Sequence, residues 1–279
     1  MIELLKAILF GIIEGITEWL PISSTGHLIL VEEFVSFSNV SEGFWSMFEV
    51  VIQLGAIMAV VILFWNKIFP FQFRDKTKPV VEMDKIRLWI KIIIACIPAA
   101  VIGILFDEVF ERLFYHATSV AIALIVFGIA FIIIERHNKG KSAKINSLEE
   151  ITYTTALLIG IFQLLAAIFP GTSRSGATIV GALLIGVSRT VAAEFTFFLA
   201  IPVMFGASLL KILKFGFSFT GMEAMLLLVG TLVSFLVSLL VIRFLMDYIK
   251  KHDFQVFGWY RIVLGVIVLL LGAVGVITV

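Results

Sequence analysis

Two short polar segments interrupt apolar stretches of this chain, and both contain residue types that bind phosphate. The first follows Pro21 and holds three hydroxyls, a glycine and a histidine; the second follows Pro170 and holds hydroxyls, glycines and an arginine. Each segment opens a predicted helix, where unpaired backbone N–H groups and the helix dipole favour an anion. A helix cap needs only one hydroxyl, so the additional hydroxyls indicate a ligand. We predict phosphate contacts from Ser23, Thr25, Gly26, Gly171, Thr172, Ser173, Ser175, Gly176 and Thr178.

Two acidic residues precede the first polar segment. Glu14 and Glu18 are four residues apart, so they project from the same side of a helix. Carboxylates at membrane depth are costly and repel each other, which predicts compensation by a metal, an arginine or a proton. A divalent ion held by both could also bridge to a diphosphate. Two other interpretations stay open: solvation of both glutamates at the outer interface, and neutralisation of one of them by Arg174.

The first turn of the first predicted helix brings together a hydroxyl and an imidazole. His27 follows Ser24 by three residues, and a histidine can act as acid, base or nucleophile near neutral pH. In the second segment, Arg174 can form forked, charge-assisted bonds to phosphate. Fixed donors of this kind stabilise the charge on a transferring phosphoryl group. The sequence therefore predicts diphosphate chemistry, with Ser24, His27, Glu18, Glu14 and Arg174 as the catalytic set.

Two further polar residues lie one helical turn apart in the next apolar segment. Glu49 and Gln53 could support the catalytic residues from a second layer, or they could join helices by hydrogen bonds. Glu194 has the same ambiguity, and we favour a packing role for it.

The elements that position these residues are predicted to be membrane helices. The chain has 279 residues, 61% of them hydrophobic and 15% charged, with a mean hydropathy of +1.12. Soluble domains are about half apolar and a quarter charged, and apolar blocks of about 20 residues favour helices over a membrane β-barrel. Without a basic stripe interleaved with aromatics, no nucleic-acid partner is expected. We predict an all-α polytopic protein whose six crossings are roughly 44–65, 88–106, 117–135, 190–213, 221–246 and 257–277.

Two other apolar segments, 2–35 and 151–187, are broken in the middle by the polar motifs. Irregular backbone survives at membrane depth only where protein or a water-filled cavity surrounds it. We therefore predict that both are re-entrant helical hairpins. Lys and Arg concentrate in 66–91, 136–144 and 243–251, and basic loops stay in the cytoplasm. Six crossings with two hairpins satisfy this bias and predict that both termini lie outside.

The two halves of the chain resemble each other weakly. Gly11 and Pro21 align with Gly160 and Pro170 at one offset. Each half, 1–136 and 150–279, is predicted to hold one hairpin and three crossings, which makes the second half inverted within one fused domain, 1–279. Inverted repeats with broken helices are common in secondary transporters, so a lipid flippase or a transporter of an anionic substrate, alone or combined with phosphatase activity, is the alternative function.

The two motifs also carry a family resemblance that extends over essentially the whole chain. EGITEWLPISSTGH at 14–27 and PGTSRSGAT at 170–178 closely resemble the signature motifs of the bacterial undecaprenyl-diphosphate phosphatase family, also called the bacitracin-resistance family. The segment FEVVIQLG at 48–55 resembles a third family segment. Trp19 stands where another aromatic, often Phe, is usual. The family's functional residues fall here on Glu14, Glu18, Ser24, Thr25, His27, Ser173 and Arg174.

The resemblance implies an enzyme of the bacterial plasma (inner) membrane with an active site open to the periplasmic or outer side. It would hydrolyse undecaprenyl diphosphate, and other prenyl diphosphates, and so recycle the lipid carrier of cell-wall synthesis and confer bacitracin resistance. It also implies a divalent cation, Mg²⁺ or Ca²⁺, with Glu14 and Glu18 as ligands. Glycines in 257–277 could permit homodimer contacts in the membrane.

Three routes remain open for the reaction. Ser24 could attack the terminal phosphorus while His27 or a glutamate takes its proton, His27 could attack directly, or an activated water could attack. We favour Ser24 because it lies nearest the anion site. A membrane acid phosphatase is the rival enzyme class, but it requires a second histidine after its Ser-Arg element. The only histidine after Arg174 is His252, which the predicted topology places in the cytoplasm.

Overall fold

The computed structural model describes residues 1–73, 79–114 and 116–275, and these residues form helices and connecting turns. Two isolated β-bridges, Phe71 with Val81 and Ile145 with Val187, are the only strand-like pairings in these ranges. The helices are α1 (Ile2–Thr17), α2 (Ser24–Glu32), α3 (Phe44–Val51), α4 (Gln53–Leu63), α5 (Trp65–Ile68), α6 (Met83–Phe114), α7 (Ala117–Asn138), α8 (Tyr153–Ile168), α9 (Arg174–Ile185), α10 (Arg189–Phe215), α11 (Gly221–Ile249) and α12 (Gln255–Ala273).

Six helical segments are long and apolar enough to cross a membrane, which confirms the predicted all-helical class and the six crossings. They are Phe44–Leu63, Met83–Phe106, Ala117–Asn138, Arg189–Phe215, Gly221–Ile249 and Gln255–Ala273.

The ends of these crossings differ from the sequence prediction in a few places. The first crossing consists of α3 and α4, which are separated by a turn at Ile52. Helix α6 begins earlier than predicted because its polar start is helical as well, with an ion pair between Asp84 and Arg87 one turn apart. Part of the basic segment 66–91 lies outside the described residues, namely Arg74, Lys76 and Lys78. The end of the predicted crossing 257–277 also lies outside them.

Large apolar side chains cover the outside of these long helices. Ile104 on α6, Leu228 and Leu240 on α11 and Leu270 on α12 are each more than 60% exposed. Water would penalise such a surface, whereas lipid tails are equally apolar. The protein is therefore an integral, multi-pass membrane protein.

The two interrupted segments are broken where the polar motifs occur. Helix α1 ends at Thr17 and α2 begins at Ser24, so the first turn occupies 18–23. Helix α8 ends at Ile168 and α9 begins at Arg174, so the second turn occupies 169–173. Each turn lies slightly before the predicted centre of its motif, and the remaining motif residues form the first turn of the following helix.

The helix before each polar turn, α1 or α8, packs closely against a crossing from the other half of the chain. Helix α1 packs on α11, and α8 packs on α6. A Cβ added at Gly11 would lie 2.7 Å from the carbonyl oxygen of Gly230, and one at Gly160 would collide with the backbone of Ala95. Glycine is therefore required at both positions for these backbones to approach.

Candidate active site

Helices α2 and α9 start with the same unusual cap. Ser23 and Ser173 are the N-cap residues, with φ of 76° and 68°. Such left-handed backbone is uncommon for a non-glycine residue and costs about 1–3 kcal/mol. Each serine hydroxyl accepts a hydrogen bond from the backbone N–H of a glycine three residues later, Gly26 at 3.3 Å and Gly176 at 3.2 Å. Both predicted phosphate-binding serines therefore hold a strained turn in place.

The carboxylate of Glu18 joins the two broken segments. It accepts a hydrogen bond from Ser24 Oγ at 2.7 Å through one oxygen, and from Arg174 Nη2 at 2.9 Å through the other. Ser175 Oγ donates to the backbone carbonyl of Glu18 at 3.2 Å. The structure thus brings Ser24, Glu18 and Arg174 into direct contact. This contact agrees with the interpretation, left open in the sequence, that Arg174 neutralises one of the two glutamates, and that glutamate is Glu18.

Arg174 is anchored on a second side as well. Its Nη1 donates to the carbonyl oxygen of Thr196 on α10 at 3.0 Å. The hydroxyl of Thr178 bonds to that of Thr196 at 2.9 Å and to the carbonyl of Arg174 at 2.9 Å. Thr178 was predicted to bind phosphate, but its hydroxyl lies in the contact between α9 and α10.

Glu14 is fully buried one helical turn before Glu18. Neither of its carboxylate oxygens has a hydrogen-bond partner in the described residues. The charges that act on it are those of Glu18, Glu49 and Arg174. Because an isolated buried carboxylate is very costly, this site requires either a proton or a cation.

Glu14 offers two carboxylate oxygens without a hydrogen-bond partner in the described residues, whereas both oxygens of Glu18 already accept hydrogen bonds from Ser24 and Arg174. Hard cations prefer oxygen ligands, and Mg²⁺ is often held by one or two carboxylates together with substrate phosphates. The described residues contain no group of three or more His, Cys, Asp or Glu side chains that could hold a metal alone. A cation here would therefore need ligands from the substrate or from water.

Both ring nitrogens of His27 have hydrogen-bond partners other than Ser24, although both residues lie in the first turn of α2. Its Nδ1 is 2.7 Å from the carbonyl oxygen of Ser23, and its Nε2 is 2.7 Å from the hydroxyl of Tyr260. A carbonyl only accepts, so Nδ1 carries a hydrogen; in the neutral imidazole Nε2 then has none and accepts from the Tyr260 hydroxyl. The hydrogen-bonded proton acceptor for Ser24 is consequently Glu18.

Arg261 joins the two turns from α12 and was missed by the sequence reasoning. Its guanidinium is fully buried. Nη1 donates to the carbonyl of Pro21 at 3.2 Å, and Nη2 donates to the carbonyls of Gly171 at 3.0 Å and Thr172 at 2.6 Å. The available signal was an arginine inside an apolar crossing, which is a functional indication by default.

The other predicted residues surround this centre. The hydroxyl of Thr172 is fully buried without a hydrogen-bond partner in the described chain, and the hydroxyls of Ser173 and Ser175 are 3.1 Å apart. Thr25 is partly exposed in the first turn of α2, and Gln53 is partly buried at the start of α4. Gly171 has a φ of +86° and packs against α7.

An apolar recess adjoins the start of α2. Its lining is apolar apart from Glu33 and includes Gly26, Leu30 and Val120. The recess itself holds only about 10 Å³, but it shares Ala117 and Val268 with a larger cavity of about 290 Å³ between α7 and α12. Apolar space therefore lies directly beside the polar centre, an arrangement that suits an amphipathic ligand.

Comparison with known proteins identifies the family. The family described as bacitracin resistance protein BacA matches residues 7–267. A protein named undecaprenyl-diphosphatase from Desulfitobacterium hafniense is 67% identical over 97% of this chain and 96% of its own length. Proteins of the same name from Enterococcus faecalis and Streptococcus mutans are 60% and 55% identical over 98% or more of both chains. The chain belongs to the bacitracin resistance protein BacA family.

Proposed function

We propose that this protein hydrolyses undecaprenyl diphosphate to undecaprenyl phosphate and inorganic phosphate. Relatives that carry the name undecaprenyl-diphosphatase are 55–67% identical over nearly the full length. The observation that carries the proposal is the single carboxylate of Glu18, which binds a candidate nucleophile from one break and a guanidinium from the other. The product is the lipid carrier of cell-wall synthesis, and its regeneration underlies bacitracin resistance.

In the proposed reaction, Ser24 Oγ attacks the terminal phosphorus. Its proton passes to Glu18, the P–O bond to the bridging oxygen breaks, and undecaprenyl phosphate leaves. Water then attacks the phosphoserine, the Ser24 O–P bond breaks as Glu18 returns its proton to Ser24 Oγ, and inorganic phosphate leaves together with one proton of the water. Arg174 and the helix starts supply positive charge to the phosphoryl oxygens throughout. The hydrogen bond of 2.7 Å between Ser24 and Glu18 favours Glu18 over His27 as the proton acceptor.

We further propose that Glu14 and Glu18 hold a divalent cation, Mg²⁺ or Ca²⁺. The support is the pair of unpartnered, fully buried oxygens of Glu14. When bound, the cation would neutralise charge on the diphosphate. Glu49, whose charge also acts on Glu14, would support this site from the neighbouring crossing, together with Gln53.

For the fold, we propose two re-entrant hairpins in an inverted repeat, with halves 1–136 and 150–279. The support is the exchange of packing partners, since α1 packs on the middle crossing of the second half and α8 on that of the first. Gly11 and Gly160, which align at one offset, make the closest of these contacts. With the basic loops in the cytoplasm, the active site opens to the periplasmic or outer side of the plasma membrane and both termini lie outside.

The lipid part of the substrate requires an apolar surface beside the polar centre. We propose that the cavity between α7 and α12, which adjoins the recess beside Gly26 through Ala117 and Val268, receives part of the prenyl chain. Other prenyl diphosphates should then also be substrates, because the polar centre contacts only the headgroup.

The proposal is tested with the purified protein in detergent. Phosphate release is measured from undecaprenyl diphosphate and farnesyl diphosphate, with and without chelator, for wild type, Ser24→Ala and Arg174→Ala. Ser36→Ala, an exposed serine beyond α2, is the matched control and should match wild type. We expect both site variants to lose turnover, with Ser24→Ala still binding lipid. Binding without release by the wild type would contradict the enzyme and support a transporter, and near-normal turnover by Ser24→Ala would remove Ser24 as nucleophile.

A further inference from the structure

Helix α12 contributes two adjacent polar side chains to the centre, although the rest of the helix is largely apolar. Tyr260 is 46% exposed, whereas Arg261 is completely buried. The tyrosine hydroxyl contacts His27, and the guanidinium contacts the turns that precede α2 and α9. One turn of α12 thus contacts the imidazole and both interrupted segments.

The contacts of Arg261 hold the two turns in place and do not include an ion pair in the described residues. All of its hydrogen bonds go to backbone carbonyls, and in the described part of the chain it forms no ion pair; its Nε has no partner. A buried guanidinium without a carboxylate is costly, and the hydrogen bonds to the three carbonyls compensate part of that cost. Because Arg261 holds Pro21 and Gly171 at once, it fixes the two turns relative to each other.

The same frame determines how His27 is held. The carbonyl of Ser23 accepts from Nδ1, and the backbone of Ser23 is fixed by its strained cap, two residues after the carbonyl that Arg261 binds. On the other side of the ring, the Tyr260 hydroxyl reaches Nε2, and the two rings are stacked with an interplanar angle of 7° at 5.6 Å. His27 is therefore held from both nitrogens, in one tautomer and one orientation.

We infer that Tyr260 is a positioning residue for His27, and that Arg261 anchors Tyr260 and both turns in a single frame. Tyr260 keeps the basic nitrogen of the imidazole at the open edge of the site, where Tyr260 itself is half-exposed. In the proposed reaction Glu18 takes the Ser24 proton, and the step left for the basic nitrogen of His27 is to accept a proton from the water that attacks the phosphoserine. Removal of the Tyr260 hydroxyl leaves the imidazole free to rotate and to exchange tautomers, which lowers the fraction of enzyme with His27 in the geometry for that step. The kinetic part of this inference rests on the proposed phosphatase function.

Tyr260→Phe is the decisive variant because it removes one oxygen and keeps the stacked ring. A hydrogen bond of this kind corresponds to about a two- to tenfold change. We therefore expect kcat for phosphate release to fall by roughly that factor while KM for the prenyl diphosphate stays within twofold. Tyr153→Phe is the matched control, because Tyr153 is 47% exposed, close to the 46% of Tyr260, and lies at the start of α8. It should leave both constants unchanged.

A spectroscopic measurement tests the positioning independently of turnover. The chain has four histidines, and ¹⁵N-histidine labelling resolves their ring nitrogens, with His27 assigned by its loss in His27→Gln. Wild type should show His27 as the Nδ1–H tautomer, and Tyr260→Phe should show a mixture. Arg261→Lys keeps the charge but loses the fork, so it should also disturb the His27 signals although residue 260 is unchanged.

The possible outcomes separate the two hypotheses. Unchanged kcat together with an unchanged His27 tautomer in Tyr260→Phe overturns the positioning role. An unaltered His27 spectrum in folded Arg261→Lys overturns the anchoring role of Arg261. A wild type that releases no phosphate contradicts the proposed function alone, since the tautomer measurement still decides the role of Tyr260.

Discussion

Replacement of Glu18 by glutamine tests the centre most directly. Glutamine has nearly the same shape, but it cannot accept the Ser24 proton and carries no charge opposite Arg174. The Glu18 and Arg174 side chains are only 8% and 12% exposed, so the variant leaves a guanidinium largely buried without its partner. Breaking a buried pair in this way costs about 3–5 kcal/mol. Arg174 keeps the carbonyl of Thr196, which places the expected loss of stability at the lower end, about 3 kcal/mol.

The catalytic loss should exceed what this loss of stability explains. A general base contributes about 10²- to 10⁴-fold to a rate, so we expect kcat of Glu18→Gln to fall at least 100-fold. The assay is phosphate release at saturating prenyl diphosphate, normalised to the folded fraction from a thermal melt of the same sample. Normalisation is essential because partial unfolding alone would also reduce the rate.

Glu194→Gln is the matched control for this experiment. Glu194 is also a largely buried glutamate paired with a cation, Lys67 at 2.7 Å, but this pair joins α10 to α5 and includes no residue of the two interrupted segments. Its replacement should lower the melting temperature modestly and keep kcat within about twofold. Our assignment of Glu18 as proton acceptor is refuted if folded Glu18→Gln retains more than a tenth of the wild-type kcat.

Three further changes have defined outcomes. Gly160→Ala should destabilise the protein by about 1–3 kcal/mol, because the added Cβ would collide with the α6 backbone, whereas Gly103→Ala, which faces open space, should not; thermal melts decide. Glu14→Gln should raise the melting temperature in chelator and abolish stabilisation by added Mg²⁺ or Ca²⁺, since it removes an unpartnered buried charge; an undiminished cation effect would exclude Glu14 as a ligand. Ala117→Trp should fill the cavity between α7 and α12 and raise KM for undecaprenyl diphosphate more than for farnesyl diphosphate, and equal effects would place the chain elsewhere.

The sequence predicted the helices well because membrane burial is specified by length and composition. A run of about 20 apolar residues has one stable solution in a bilayer, so all six crossings were found with small errors at their ends. The turn at Ile52 was not found, since neither proline nor glycine marks it. The start of α6 at Met83 was also missed, because its polar residues read as loop although they form a regular helical end.

The sequence singled out Glu18 and Arg174, which the structure brings together, but it did not specify their contact. Glu18 and Arg174 could each be singled out as costly charges at membrane depth, yet their direct contact depends on how the two broken segments pack against each other. The same limit applies to His27. Its spacing from Ser24 is visible in the sequence, but its hydrogen bond to Tyr260, 233 residues away, is not. Pairings across the fold are set by tertiary packing, which one sequence without an alignment does not specify.

The serine caps at the two turns give two of the predicted phosphate-binding hydroxyls a structural role. Glycine would be the unstrained choice at a positive φ, but it has no hydroxyl to accept the N–H of Gly26 or Gly176. Serine at positions 23 and 173 therefore has a strained backbone, but its hydroxyl caps the start of the following helix. Strain of this kind persists only where the surrounding structure over-determines it and concentrates at functional sites. The carbonyl bonds from Arg261 provide that determination, which links a residue of the last crossing to the geometry at Ser24.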